Sequence, residues 1–466
     1  MWAFVAVAVS GCLYYLSIGL GTFWPAAWFA PVPVLLLAFR SSSGKAALAA
    51  FAAYFLGSLN LFSYFAGFSP VPLVLAILAL PAAVYAGSVL LARAVAARTP
   101  AWIAVFAFPV TWTAYEFLVS LTSPHGTATS LAYSQASFLP AIQVASVTGL
   151  WGITFLVTLI PSAIAVAWAR RDVRALMPAL IVGLAALGFG TTRLARHPEE
   201  PRVRAGLAAT DRGVISAFRT ADPALALTVA RAYADRVARL AAQGAQVIVL
   251  PEKFVGVTPA DSDAIEQIFS QAARDHRVTV IAGFNRFSAS PPLNQAVAFG
   301  PDGNILLTYE KHHMLPGPET GYEVGATPGL LPGPGAQWGV AICKDMDFPA
   351  WSRAYGRRDV RFLAVPAWDF VVDARLHSRM AVLRGVEEGF TIARSAQQGN
   401  LTFSDAYGRI LAEISSSTPP DALLVANIPG GPGSTVYQRF GNWFGWTCVI
   451  AVAAFLVMLF RRPAHR

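Results

Sequence analysis

Charge is what this sequence has least of. Only 13% of its 466 residues are Asp, Glu, Lys or Arg, against 55% hydrophobic. Soluble domains carry about 25% charged residues, so a single water-soluble domain is excluded. Cysteine is also scarce, with Cys12, Cys343 and Cys448. Cys12 and Cys448 fall in apolar stretches, which leaves the polar part of the chain one thiol and no intrachain disulfide partner. Lysine is scarce in a different way: among 35 basic residues it appears only as Lys45, Lys253, Lys311 and Lys344. No repeat with a period of about 20–50 residues is evident, and no low-complexity linker.

The few charges are unevenly placed. Between Met1 and Thr192 they are Arg40, Lys45, Arg93, Arg98, Glu116, Arg170, Arg171, Asp172 and Arg174; nearly all others lie in 193–439 or in the last six residues. Stretches apolar enough for a membrane helix, which needs roughly 20 residues, occur near 2–20, 22–39, 46–66, 70–92, 101–120, 141–168, 175–191 and 443–460. The sequence therefore predicts seven transmembrane helices in an N-terminal membrane domain over 1–192. A water-facing domain over 193–439 follows, then an eighth helix and a basic tail over 440–466. The first stretch lacks a basic leader and is followed at once by more spans, so it reads as a retained helix rather than a cleaved signal.

Basic residues are depleted from short outer loops. With the N-terminus inside, Arg40/Lys45, Arg93/Arg98 and Arg170/Arg171/Arg174 all fall on the cytoplasmic side, as does the tail RRPAHR. Residues 193–439 are then expected outside, in the periplasm of a host with two membranes. The net charge of +9 is explained by topology anchors at helix ends, so nucleic acid is not an expected partner.

Within 193–439, short apolar runs alternate with amphipathic stretches: VRAGLAA (203–209), VIVL (247–250), VTVIAGF (278–284), QAVAFG, NILLTYE, WGVAIC, RFLAVPA, FTIARSA and ALLVANI. A helix between the first two has readable ends. Asp222 suits its N-cap, Pro223 its first turn and Gly244 its stop, while Leu227, Ala230, Ala234, Val237 and Ala241 repeat on one face. PDGN at 301–304 predicts a hairpin turn. Strands and helices mixed in this way predict an α/β sandwich, and roughly 240 residues suffice for one large core.

Three of the four lysines fall in LPEK, YEKHH and ICKD. A chain that uses Arg for generic positive charge keeps Lys where a compact ammonium must sit beside a reacting atom. Glu252, Lys311 and Cys343 each follow a predicted strand and suit a convergent site. Glu252 would take the thiol proton, Cys343 attack a carbonyl, and Lys311 stabilise thiolate and oxyanion. Taken alone, a cysteine after an apolar strand also fits an inert core position.

Glu252 in VIVLPEKF, Lys311 in YEKHHMLPGPE and Cys343 in AICKDMDFP resemble, in order and spacing, the Glu-Lys-Cys triad of the nitrilase, or carbon-nitrogen hydrolase, superfamily. With seven spans before this domain and one after it, nearly the whole chain resembles the apolipoprotein N-acyltransferase family. TFWPAAWFAPVPVLL (22–36), LAYSQAS (131–137), GLWGITFLV (149–157) and VYQRFGNWFGW (436–446) also match. Glu319 sits where that family has a second active-site glutamate. Where the family has an aromatic and then a glutamate after the nucleophile, this chain has Lys344 and Asp345. Where the family has a glycine-asparagine pair and a downstream tryptophan, this chain has Thr210-Asp211 and Phe218.

The resemblance implies an α-helical membrane domain plus a nitrilase-like α/β sandwich, with Glu319 supporting the triad; at the two departures after the nucleophile, Asp345 would still place a carboxylate, one methylene shorter, and Lys344 would lower the thiol pKa or neutralise a phosphate. It implies a two-step acyl transfer through a cysteine thioester, without metal or organic cofactor. The partners would be a phospholipid acyl donor, a diacylated lipoprotein acceptor and the bilayer of a bacterial inner membrane. A membrane-tethered amidase, or an acyltransferase using another amine, is the alternative that ICKDMD favours; the retained Glu, Lys and Cys argue against a non-catalytic scaffold.

Several residues stay open at this level. Glu116, an acid within the apolar region, suits either function or contact with water at its helix end. His312 and His313 lack further metal-ligand spacing and suit a hydrogen-bonded structural role better than zinc. Glu387 and Glu388 suit bracing. The apolar segments FVGVTP (254–259) and AWDFVV (367–372) suit either core or a lipid-facing lid.

Overall fold

The computed structural model describes residues 1–67, 69–196, 201–210, 222–287, 289–419 and 421–461. Asp211, Phe218 and the last five residues of RRPAHR lie outside them. The chain divides into two compact units, Met1–Ala195 with Phe440–Arg466, and Arg196–Arg439.

The first unit is helical. Six helices among the described residues are long and apolar enough to cross a membrane: Ser43–Ala66, Val71–Ala96, Ala101–Thr122, Leu150–Arg170, Val173–Leu194 and Trp443–Phe460. The first two expected spans are shorter. Trp2–Ser17 has 16 residues, and the second breaks into Trp24–Ala27 and Val32–Ala38, with Pro25, Pro31 and Pro33 limiting backbone donors and geometry through this stretch. The expected helix over 141–168 is corrected to Leu150–Arg170. Gly149, at φ +68°, separates it from the short helix Ala145–Thr148. A positive φ costs glycine little and a helix interior does not accommodate it.

Glu116 settles into a structural role within this unit. Its buried carboxylate accepts hydrogen bonds from Trp112 Nε1 (3.1 Å), Ser130 Oγ (2.7 Å), Leu131 N (2.8 Å) and Thr154 Oγ1 (2.7 Å). It thereby ties two long helices to the 3-10 turn Leu131–Gln135. Gln135 continues the tie, donating to Trp24 O (3.1 Å) and accepting from Trp28 Nε1 (2.7 Å).

The second unit is built on two sheets. The first runs β13-β1-β2-β4-β5-β6 with β3 beside β4, and the second β12-β11-β10-β9-β8-β7. Its strands are β1 Arg202–Ala209, β2 Val247–Val249, β3 Val255–Val257, β4 Thr279–Arg286, β5 Leu293–Phe299, β6 Ile305–Glu310, β7 Gly329–Pro332, β8 Gln337–Val340, β9 Phe362–Trp368, β10 Thr391–Gln397, β11 Asn400–Ser404, β12 Ile410–Ser415 and β13 Ala422–Pro429. Central pairs β1/β2, β2/β4, β8/β9 and β9/β10 are parallel, as expected of strands buried on both faces.

Alternation sorts the side chains into layers. Val203, Ala205, Leu207, Val247, Val249 and Ile281 join Trp338, Phe362, Ala364 and Ala393 in a core between the sheets. Ile248, Leu250, Val280, Ala282 and Phe284 face the other way, onto helices Pro223–Ala242 and Ser262–His276. Val340's neighbour Ala341 and Leu363, Val365 and Ile392 similarly meet Tyr355 and Ala381 of helices Pro349–Gly356 and Ala374–Glu388. The result is an αββα sandwich.

Asp222 caps Pro223–Ala242 by accepting from Ala224 N and Leu225 N. The buried face of that helix is Ala226, Val229, Ala230, Tyr233, Val237 and Leu240, with the expected Leu227, Ala234 and Ala241 only flanking it. Tyr233 sets the rotation, its ring packed at a tilt against Phe254 with centroids 4.2 Å apart. The PDGN turn joins β5 to β6, with Gly303 at φ +82°. FVGVTP is core over its first four residues, since Phe254, Val255 and Val257 are buried and β3 pairs with β4. By contrast Val371 and Val372 are exposed.

Gly283 of β4 leaves no room for a side chain beside the site. A Cβ there would lie 2.1 Å from Pro251 O and 2.8 Å from Glu252 Cα. Gly283→Ala is expected to cost about 1–3 kcal/mol through overpacking, read as a lower melting temperature of the detergent-solubilised protein. Gly87→Ala, whose Cβ meets nothing within 4 Å, is expected to leave it unchanged.

Candidate active site

Strand ends supply the polar side chains. Glu252 lies just beyond β2, Lys311 directly after β6, and Cys343 just beyond β8 as the first residue of a 3-10 turn, Cys343–Asp347. The end of β9 joins two of them: Ala367 O accepts from Glu252 N (3.2 Å) and Trp368 O accepts from the Cys343 thiol (3.4 Å). Consecutive carbonyls thus hold the carboxylate-bearing and thiol-bearing segments side by side.

Lys311 Nζ donates to Glu252 Oε1 and to Glu319 Oε2, each at 2.8 Å. All three residues are 2% exposed, and an ammonium at that depth requires paired charge. Asn294 Nδ2 donates to Glu252 Oε1 (2.6 Å) and Glu319 Oε1 (2.7 Å), and Leu315 N donates to Glu319 Oε2 (2.7 Å). Lys253 Nζ pairs with Glu319 Oε1. Among the described residues, the side-chain hydrogen bonds on Glu252 land on Oε1.

Electrostatics follow from this packing. Burial alone would lower the Lys311 ammonium, but the carboxylates of Glu252 and Glu319 and the neighbouring Cys343 outweigh it and hold it well above the ordinary lysine value. Burial would raise Glu319, yet Lys311 and Lys253 hold its carboxyl well below the usual range. Burial pushes the Cys343 thiol well up; Glu252 adds to this and Lys311 opposes it, as Arg394 opposes Asp369. At rest the site therefore holds a neutral thiol among charged neighbours.

Cys343 adopts φ +40°, a conformation that costs a side-chain-bearing residue about 1–3 kcal/mol and persists only where its surroundings impose it. Asp345 is part of what imposes it. Its Oδ2 accepts from Ile342 N (3.0 Å) and Tyr309 OH (2.6 Å), and its Oδ1 from His313 N (2.8 Å). Asp345 thus shapes the turn that presents the thiol. His312 stacks on Trp351 at 3.8 Å and His313 on Phe348 at 3.7 Å, which gives both histidines packing roles. No group of three or more His, Cys, Asp or Glu among the described residues could hold a metal ion.

Lys344 pairs with Asp347 (3.1 Å) within the same turn. Glu387 pairs with Arg384 at 2.8 Å, both fully buried. Burial and the adjacent Glu387 push the Glu388 carboxyl well up.

Sequence reasoning missed Asn294, the Asp369–Arg394 pair and His377. Arg394 Nη1 donates to Asp369 Oδ2 at 2.9 Å, both buried, directly after Trp368. An arginine inside the apolar run FTIARSA was the available signal, because a buried charge demands a partner. Asn294 had only the weaker signal of an amide residue opening a buried strand.

Two family models match the chain. Residues 10–163 match the apolipoprotein N-acyltransferase N-terminal domain and residues 214–430 the carbon-nitrogen hydrolase. The sandwich with its thiol, carboxylates and ammonium at strand ends is therefore a carbon-nitrogen hydrolase domain. An apolipoprotein N-acyltransferase of Geobacter metallireducens is 27% identical over 77% of this chain and 75% of its own length; one of Bradyrhizobium diazoefficiens is 26% identical over 72% and 70%. A deaminated glutathione amidase of Synechocystis is 26% identical over only 37% of this chain and 76% of its own. The crystal structure of an amidase from Nesterenkonia sp. aligns at 22% identity and TM-score 0.44, covering 53% of this chain and 99% of that one. In both its helical N-terminal part and its sandwich, the chain is similar to the apolipoprotein N-acyltransferase family.

His377 Nδ1 lies 3.2 Å from Asp373 Oδ2 and 3.5 Å from Asp369 Oδ1. Burial would lower the imidazolium, but Asp373, Asp369 and Asp347 raise it to about 9. A proton held more tightly folded than unfolded gives stability fully present below the unfolded value of about 6.5 and lost as pH rises through about 9. The melting temperature is expected to fall across that window, and His377→Gln to remove that part of the slope.

Proposed function

We propose that this protein is a phospholipid-dependent N-acyltransferase that acylates the α-amine of the diacylglyceryl-cysteine at lipoprotein N-termini. The observation that carries this reading is the joining, on one chain, of an apolipoprotein N-acyltransferase N-terminal domain to a hydrolase-type domain whose lone thiol stands with a carboxylate and a buried ammonium.

Glu252, Lys311 and Cys343 are the catalytic groups. Glu252 accepts the Cys343 proton as Sγ attacks the ester carbonyl of a phospholipid; Lys311 stabilises the charge on the carbonyl oxygen. The C–O bond breaks, Glu252 returns the proton to the departing alkoxide, and lysophospholipid leaves behind a thioester. The lipoprotein α-amine then attacks that carbonyl, Glu252 takes the amine proton, the C–S bond breaks and the thiolate regains its proton. No cofactor enters either step. Glu319 anchors Lys311, Asp345 shapes the thiol's turn, and Lys344 with Asp347 fixes the second half of that turn.

Both substrates are lipids, so helices that keep the site at a bilayer replace a search through solution by a pre-oriented encounter. We assign the catalytic domain, 193–439, to the extracytoplasmic side of a bacterial plasma membrane, supported by the basic loops around Arg40, Arg93 and Arg170. The bilayer, a phospholipid donor and a diacylated lipoprotein acceptor are its partners.

Purified protein mixed with phospholipid is expected to gain an acyl adduct on Cys343 by mass spectrometry and to lose it to a diacylated lipopeptide. Cys343→Ala should abolish the adduct and Glu252→Gln slow it by about 10²–10⁴-fold; undiminished labelling in Glu252→Gln refutes the assigned base. An adduct discharged only by water or a small amine would favour an amidase or a different acceptor. Orientation is tested separately, by a membrane-impermeant thiol reagent. Cys343 is expected to react from outside spheroplasts, and reaction only after lysis overturns the assignment.

A further inference from the structure

Lys253 has no part in the steps above, yet it is 7% exposed and its ammonium ends in the same cluster. Its backbone stands at φ +47°, a conformation glycine adopts freely and other residues adopt at about 1–2 kcal/mol. The chain places a lysine there, and the side chain lands on Glu319 Oε1 and 5.6 Å from the ring of Tyr322.

The charge count changes as a result. Glu252 and Glu319 supply two negative charges, Lys311 and Lys253 two positive ones. Glu319 Oε2 holds Lys311 and Leu315 N, while Oε1 holds Asn294 and Lys253. Without Lys253, the cluster would carry one excess negative charge, and Lys311 would be the one full counter-charge of both carboxylates among the described residues.

We propose that Lys253 is a positioning residue that neutralises Glu319, so that the Lys311 ammonium is available to Glu252 and to the negative charge that forms at Cys343. This rests on the acyl-transfer reading for its purpose but not for its test. Charge of this kind acts at short range in the interior, where a full charge within about 4–6 Å moves a neighbour's ionisation by about one to three pH units. An excess negative charge on Glu319 draws on the Lys311 ammonium that favours the Cys343 thiolate, and so makes that thiolate harder to form.

The readout is the rate at which iodoacetamide alkylates Cys343, followed across pH by mass spectrometry of its peptide in the full-length protein. Lys253→Met is expected to move the midpoint of that profile upward by about one unit and to slow acyl-adduct formation from phospholipid by about tenfold. Lys253→Arg, which keeps the charge, should restore the midpoint. Lys253→Met with Glu319→Gln, which removes one charge of each sign, should bring it back toward wild type, and supplies the test if the single variant folds poorly. A lysine that merely anchors the Tyr322 loop would lower the melting temperature without moving the midpoint. A midpoint unmoved in Lys253→Met, or one that moves equally in Lys253→Arg, overturns the proposal. A shifted midpoint in a protein that never takes an acyl group from phospholipid would sustain the charge role of Lys253 and overturn the acyl-transfer reading instead.

Discussion

An ammonium shared between two carboxylates in a protein interior is the interaction on which the site depends. Lys311, Glu252 and Glu319 come from three separate segments, and each is 2% exposed. Removing one partner of such a buried set costs about 3–5 kcal/mol, so the three segments are fixed relative to one another by charge as well as by packing. β6 must end where β2 ends, and the loop carrying Glu319 must fold back over both. Asn294, donating to both carboxylates, holds them at the spacing that a single ammonium can bridge.

This charge cluster alone would not place a nucleophile. The second sheet does so through the end of β9, whose Ala367 and Trp368 carbonyls receive Glu252 N and the Cys343 thiol. Strain gathers at this seam. Cys343, Lys253, Val371 and Gln398 all have positive φ, and all lie on segments beside it. Such conformations persist where the surroundings over-determine them. Here Asp345 ties the Cys343 turn to Tyr309 and His313, and Arg394 holds Asp369 immediately after Trp368.

Much of this was legible in the residues, for physical reasons that also mark where legibility stopped. Strand runs such as VIVL and FTIARSA are readable because both faces are buried, and Asp222-Pro223 because capping is local. The scarcity of lysine singled out Lys253, Lys311 and Lys344, since a chain that uses arginine for solubility has other reasons for each ammonium. What could not be read depends on the approach of distant segments. Nothing near Asn294 in sequence shows that it spans two carboxylates, and nothing near Asp345 shows that its carboxylate serves Tyr309 and His313. The start of the helix at Leu150 turned on a single dihedral at Gly149, and the inward face of Pro223–Ala242 on the seat of one ring, Tyr233 on Phe254. β12 was missed because none of its six residues is fully buried and they show no alternation to read.

The neutral thiol and the lone cysteine belong to one argument. A thiolate formed at rest would be open to oxidants, and 193–439 holds no second cysteine to trap or resolve a sulfenic acid. Burial and the Glu252 carboxylate keep the Cys343 proton in place, so reactivity waits for an electrophile to arrive and for the proton to move. In the proposed mechanism the same carboxylate that suppresses ionisation at rest receives the proton when a carbonyl is under attack, and Lys311 beside it is already paired in charge with its two partners. In that mechanism, selectivity between idle chemistry and acyl transfer comes from coupling thiol ionisation to the arrival of substrate.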